Sequence, residues 1–307
     1  ATCRSCAIPS CASSPEMPKP IAFDTDEAIP IHAAGTPLPF GLAGELRIWG
    51  RSAIMAVALA VVVPLHYLFR LVRYGSPFPM WFLRIATRLM GARLKVHGTP
   101  LRRDVFFMPN HVSWFDIPVI GGVTGSAFVA RAEIAEMRML GWMARLNRTV
   151  FTKRQAKMNI AEQINALREA VADTWSVVIF PEGTVTDGHS LLPFKTSMLR
   201  VLEPPPPGML VQPIVIDYGP IAEWIAWLDQ ETGIANARRI FARPGTFEVN
   251  LYFLDPFDPH DFPGRKAIAA EARRQIEARL LESLGKPLRP FRYDLPIVGY
   301  VAPKAEV

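Results

Sequence analysis

Cysteine is scarce. The chain has three in 307 residues, and Cys3, Cys6 and Cys11 all fall in its first eleven positions. The body has none, so no disulfide can crosslink it, which fits a protein facing a reducing compartment. Cys3 and Cys6 have the two-residue gap of a metal knuckle. No second pair and no His-x-His completes a zinc site, so no metal role is expected. Also missing is a Gly-x-Ser-x-Gly elbow, which argues against a serine acyl-enzyme. No internal repeat and no familiar nucleic-acid motif occur. The first charged residues are not followed by a compact apolar core and a small-residue cleavage site, so no signal peptide is expected.

What is abundant is grease and positive charge. Half of the chain is hydrophobic, mean hydropathy is +0.16, net charge is +6 and the pI is about 9.4. Such a balance suits an anionic surface, either membrane headgroups or an acidic carrier protein. Nucleic acid is the competing partner, but the basic residues are scattered among apolar ones. Residues 1–40, rich in Pro, Ser and Ala, read as a disordered arm, with Met17 a candidate start. Residues 53–72 are the most hydrophobic part, and the uncharged span from Ser52 to Phe69 is long enough to cross a bilayer. Arg47 and Arg51 flank one end and Arg70 and Arg73 the other, so charge casts no vote on topology. Pro64 and His66 interrupt its second half. Residues 78–90 carry Trp81 and Phe82 beside Arg84 and Arg88, which suits an amphipathic helix at the headgroup level. A spanning helix with an interfacial one, a re-entrant hairpin and a buried core helix are the arrangements open to this region.

From residue 93 strand and helix patterns alternate. Strands are expected at Arg93–His97, Val105–Met108, Ala127–Ala130, Arg148–Thr152, Ser176–Phe180, Leu210–Asp217 and Thr246–Leu254. Helices are expected over 115–122, 132–145, 156–173, 194–202 and 265–284. Gly285 and Pro287 mark a clear stop for the last helix, and Pro204–Pro207 reads as a rigid surface spacer. The alternation predicts an α/β fold with a mostly parallel sheet flanked by helices, preceded by N-terminal membrane-binding helices. The expected divisions are a 1–40 arm, membrane-associated helices over 41–92, and an α/β domain over 93–307.

The chemistry gathers at Asn110-His111-Val112-Ser113-Trp114-Phe115-Asp116, directly after an apolar strand. His111 should emerge at a strand end, where α/β sheets place their sites. Imidazole moves protons near neutral pH, and Asp116, about one helical turn on, could hold its other nitrogen. A satisfied core histidine beside a helix-cap aspartate is the plain alternative. A second group, Phe180-Pro181-Glu182-Gly183-Thr184, follows another strand. Together the two resemble the glycerolipid acyltransferase family, which includes the 1-acyl-glycerol-3-phosphate acyltransferases and carries His-x4-Asp and Phe-Pro-Glu-Gly-Thr in this order. Arg148-Thr-Val-Phe-Thr-Lys-Arg154 resembles the intervening block, and Val211-Gln212-Pro213-Ile214-Val215 the last. The likeness covers roughly 93–220. One departure stands out: Val185 follows Thr184 where many members have Arg or a small polar residue, and Lys195 would then supply the cation.

The resemblance implies a membrane-bound lysophospholipid acyltransferase. It would move an acyl chain from acyl-CoA or acyl-carrier protein to the sn-2 hydroxyl of 1-acyl-glycerol-3-phosphate, giving phosphatidic acid. His111 would be the general base and Asp116 its orienting carboxylate. The turn at Glu182, Gly183 and Thr184 is a candidate source of oxyanion donors. Arg154 and Lys195, with Lys153, would meet the anionic acceptor, and Glu182 would position an arginine or the acceptor hydroxyl. No cofactor or metal is required, and the partners are the phospholipid surface, the lysolipid and the acyl carrier. The expected place is the bacterial inner membrane, with the catalytic domain on the cytoplasmic side. Other readings are a lyso-ornithine-lipid O-acyltransferase, which the first block and Arg148-Thr-Val-Phe151 resemble as well, a phospholipid hydrolase using Ser113, and a non-catalytic membrane-binding protein.

Overall fold

The computed structural model describes residues 40–72, 76–152, 176–228 and 231–291. The N-terminal arm with its cysteines, the helix expected over 156–173, and the expected ligands Lys153 and Arg154 lie outside the described residues.

Two helices lead, α1 (Gly41–Arg70) and α2 (Phe78–Leu89). A seven-stranded sheet follows in spatial order β1-β7-β6-β2-β5-β3-β4. Its strands are β1 (Ala92–His97), β2 (Val105–Pro109), β3 (Ala127–Arg131), β4 (Val150–Thr152), β5 (Ser176–Val178), β6 (Leu210–Asp217) and β7 (Phe247–Phe253). The other helices are α3 (Asp116–Thr124), α4 (Ala132–Glu136), α5 (Arg138–Leu146), α6 (Ala222–Ile225), α7 (Gly233–Ala242) and α8 (Arg265–Leu284). Neighbouring strands pair in parallel except β6 with β7. The expected mostly parallel α/β sheet is therefore present, with β7 and its partner β1 reversed.

The centre of the sheet is β2. All five of its residues are buried, because helices cover both faces and the strand must be apolar throughout. Its side chains alternate: Val105 and Phe107 join the core cluster that holds Ala86, Met90 and Val119, while Phe106 and Met108 join the one that holds Ile268 and Ala272 of α8. One face of α8, Ile268, Ala269, Ala272, Ile276 and Leu280, is buried. That is the 3.6-residue periodicity of its sequence in three dimensions. Gly285 ends it in the left-handed conformation, and its N–H caps the Leu281 carbonyl at 3.0 Å.

The N-terminal helices differ from each other. α2 is seated in the protein: Phe82, Ala86 and Thr87 are buried, and Trp81 and Ile85 face outward. Its backbone approaches α3 at Gly122, where a Cβ would come within 3.0 Å of the Arg84 backbone, and the Arg84 Nε donates to the Gly122 carbonyl at 2.9 Å. α1 runs unbroken through Pro64. Its most apolar 18-residue window has a mean hydropathy of 2.1 with 6% buried, so it is long and apolar enough to cross a membrane and is no core helix. Its first turns are polar-docked. Arg47 Nε donates to the Ala242 carbonyl at 2.7 Å, and Arg51 Nη1 to those of Phe241 and Arg243 at 2.8 and 2.9 Å. These cations sit on the carbonyl end of α7, where a helix dipole favours positive charge. Of the arginines that gave no topological vote, Arg47 and Arg51 are thus engaged in joining α1 to the sheet domain.

Candidate active site

β2, β5 and β6 run parallel and end on the same side, and each contributes to one site there. Asn110 closes β2. Its N–H donates to the Ile214 carbonyl, its side-chain amide to the Ile216 carbonyl at 3.1 Å, and its Oδ1 accepts from the Ile216 N–H at 2.8 Å. The side chain thus extends the β2–β6 ladder while the backbone turns away and presents His111.

His111 and Asp116 meet. Nδ1 of His111 lies 2.7 Å from Oδ2 of Asp116. The carboxylate is an acceptor, so Nδ1 carries the proton and Nε2 keeps the basic lone pair. The same Oδ2 accepts from the N–H groups of Val112 at 2.7 Å and Ser113 at 3.0 Å. Asp116 caps the turn it starts and holds the imidazole at once. Asp116 is fully buried, while the His111 side chain keeps 17% of its surface exposed. Phe180 stacks on the imidazole at 4.0 Å between centroids and 25° between planes, fixing the ring's orientation.

Glu182 takes a different place from the one expected. It is fully buried, with Oε1 accepting the His111 N–H and Oε2 the Leu192 N–H, both at 2.8 Å. Its partners are backbone amides, in place of an arginine or an acceptor hydroxyl, and it ties the His111 loop to the segment before Lys195. Arg273 of α8 holds the Leu191 and Leu192 carbonyls at 3.3 and 3.0 Å from the other side. Burial drives the Glu182 carboxyl up to about 8, against the two N–H donors that favour its anion.

Gly183 adopts φ +68°, as this turn requires, and its N–H donates to the Phe180 carbonyl at 3.1 Å. That amide closes the turn, so it is a poor candidate for an oxyanion donor. Thr184 is half-buried beside it. The Lys195 side chain lies across Gly183, where a Cβ would come 3.0 Å from Nζ. Ser113 is fully buried and its Oγ has no hydrogen-bond partner among the described residues, a poor position for a nucleophile.

Sequence reasoning missed Tyr218, at the end of β6, whose O–H donates to Oδ1 of Asp116 at 2.6 Å. It also missed a buried polar network on α7. The Trp114 Nε1–H donates to Asn236 Oδ1 at 2.7 Å, the Asn236 amide to Glu231, and Arg239 grips Glu231 with contacts of 3.0 and 2.6 Å. Nothing in local periodicity signals a contact across more than 100 residues.

The arrangement offers one oriented imidazole base on a half-open rim, suited to taking a proton from a hydroxyl. The Acyltransferase family model matches residues 93–217. The chain is 31% identical over 259 residues to a lyso-ornithine lipid O-acyltransferase of Rhodobacter capsulatus, spanning 78% of this chain and 92% of that one. To a 1-acyl-sn-glycerol-3-phosphate acyltransferase of Neisseria gonorrhoeae it is 35% identical over 96 residues, which is 31% of this chain and 38% of that one. In fold it resembles the crystal structure of the 1-acyl-sn-glycerophosphate acyltransferase PlsC from Thermotoga maritima, with a TM-score of 0.61 and 19% identity over 81% of this chain and 99% of that one. Motif order, sheet and sequence agree, and the chain belongs to the glycerolipid acyltransferase family, O-acyltransferases that act on lysolipids.

Proposed function

We propose that this protein transfers an acyl chain from a thioester donor to the hydroxyl of a lyso-ornithine lipid, with His111 as general base. One observation carries the choice of acceptor: likeness to a lyso-ornithine lipid enzyme runs through most of both chains, whereas likeness to a 1-acyl-glycerol-3-phosphate enzyme is confined to under a third of this one. Transfer to the sn-2 hydroxyl of 1-acyl-glycerol-3-phosphate is the second reading, supported by the 35% identity to the Neisseria gonorrhoeae enzyme over 96 residues.

In the proposed reaction, Nε2 of His111 takes the hydroxyl proton as the oxygen attacks the thioester carbonyl. The tetrahedral intermediate expels the thiolate, the C–S bond breaks, and His111 returns the proton to sulfur. Asp116, 2.7 Å from Nδ1, keeps the imidazole in the right tautomer and stabilises the imidazolium. Lys195, and Arg154 beyond the described residues, meet the negative charge of acceptor or donor. The buried Glu182 acts through the loop it holds rather than on the substrate. The donor is acyl-CoA or acyl-carrier protein, and no cofactor takes part. The apolar α1 supports membrane residence; the bacterial inner membrane, with the sheet domain on the cytoplasmic face where the acyl carriers are, is the placement that goes with this reading.

The test presents purified full-length protein in mixed micelles with acyl-CoA or acyl-carrier protein thioester and with each lysolipid separately. Acylation of lyso-ornithine lipid, abolished by His111→Ala, is expected. Transfer to 1-acyl-glycerol-3-phosphate alone would replace the proposal with the second reading. Fatty acid released without an acceptor would make the protein a hydrolase.

A further inference from the structure

The carboxylate of Asp116 is asymmetrically loaded. Oδ2 receives the His111 imidazole and the N–H groups of Val112 and Ser113, while Oδ1 receives the phenol of Tyr218 at 2.6 Å. Tyr218 follows the last residue of β6, on the opposite side of Asp116 from the imidazole, and is itself buried. Nothing in its own stretch accounts for a hydroxyl here, since phenylalanine would fill the same volume among Phe115, Ile216 and Phe247. A buried hydroxyl is retained where it has a partner, and this one's partner is the carboxylate that orients the base.

We propose that Tyr218 is a positioning residue of acyl transfer: through its O–H bond to Asp116 it sets how strongly the carboxylate holds the imidazolium, and so the pH above which His111 works as a base. This rests on the reading of His111 and Asp116 as base and orienting carboxylate.

A phenol donated to Oδ1 draws negative charge away from Oδ2. The imidazolium is then held less tightly, and His111 becomes a free base at lower pH than it would with Asp116 unassisted. The phenol can keep this role across the working range, because burial, then the charge of Asp116, pushes its ionisation well above the ordinary tyrosine value. Among the described residues, the other charged groups facing this cluster come from the segment that follows β5. They are the buried Glu182, whose carboxylate repels that of Asp116, and Lys195 on Gly183. Arg273 of α8 acts on Glu182 from behind. The α7 side contributes the uncharged Asn236 through Trp114.

Tyr218→Phe removes the donor and keeps the ring. The acid limb of kcat/KM, measured from pH 5 to 9 with acyl-CoA and the lysolipid the wild type accepts, should move up by about half to one pH unit. In an Asp116→Asn background the same change should leave the limb where Asp116→Asn put it, since the two act on one bond. Site-specific 3-fluorotyrosine at 218, a stronger donor of nearly the same shape, should move the limb down, and it keeps the test open if Tyr218→Phe fails to fold. A limb that stays put in both Tyr218 variants, or that moves equally with and without Asp116, overturns the proposal. If His111→Ala retains activity, it is the underlying base assignment that has failed.

Discussion

Asparagine at position 116 separates the two jobs of Asp116. Alanine there would strand the N–H groups of Val112 and Ser113 and the Tyr218 hydroxyl, all buried. At about 1–3 kcal/mol for each orphaned donor, the loss is about 3–9 kcal/mol, comparable with the whole stability of a domain. Asparagine has one good orientation. Its oxygen must take the Oδ2 position, because an NH2 there would face three N–H donors, and its NH2 then meets Tyr218, whose hydroxyl rotates to accept. The loop survives, and melting should report a loss of only about 1–3 kcal/mol as charge-assisted bonds become neutral ones. The negative charge beside Nδ1 is gone. Removing one partner of a buried pair costs about 3–5 kcal/mol, and the 17% exposure of His111 moves the figure towards the lower end. At about 1.4 kcal/mol per decade, kcat/KM should fall about 10²–10³-fold in the acyl-transfer assay. Activity within about threefold of wild type would refute a base supported by Asp116. An asparagine variant as unstable as the alanine one would refute the hydrogen-bond reasoning.

Two further predictions concern architecture. The carboxyl of Glu182 ionises at about 8 in the fold against about 4.5 unfolded, so between those values the folded chain holds the extra proton. Stability attributable to this group therefore falls as pH rises from about 4.5 to 8 and levels off above. The melting temperature of wild type relative to Glu182→Gln should fall as pH rises from 5 to 8 and level off above, and parallel curves would refute it. Arg51→Ala strips a cation from the carbonyl end of α7, so hydrogen exchange should quicken over residues 41–51 and at the end of α7 while α8 stays protected. Unchanged exchange at α7 would show that the arginine does not dock α1.

Legibility followed the kind of signal. The runs at 105–108 and 210–217 were readable as strands because both faces of a central parallel strand are buried. α8 was readable because its apolar face faces the sheet and Gly285 ends it. The His111–Asp116 pair was readable because both partners sit on one turn. α7 was hidden because its inward residues include Asn236 and Arg239, so its buried face does not look apolar. Residues 132–145 read as one helix, but Met137, at ψ 107°, breaks them into α4 and α5. Residues 194–202 proved a 3₁₀ segment, Thr196–Leu202. β5 ends at Val178, though the Ile179 N–H still donates to the Phe107 carbonyl at 3.0 Å, and Phe180 then turns to stack on His111. Glu182 was conspicuous in the sequence, but only burial reveals that its bonds go to backbone, and Tyr218 reaches Asp116 across 102 positions.

The clamp of Arg47 and Arg51 on α7 has a consequence for how substrate arrives. From Ser52 to Arg70 α1 would run about 28 Å at 1.5 Å per residue, close to the roughly 30 Å hydrocarbon thickness of a bilayer, and it starts at the surface of the sheet domain with no linker between. With this helix in a bilayer, the catalytic rim is moored at one height and cannot swing out into water. Lysolipid then reaches His111 by drifting within the leaflet, a search in two dimensions, and turnover should follow the mole fraction of acceptor in the membrane rather than its bulk concentration.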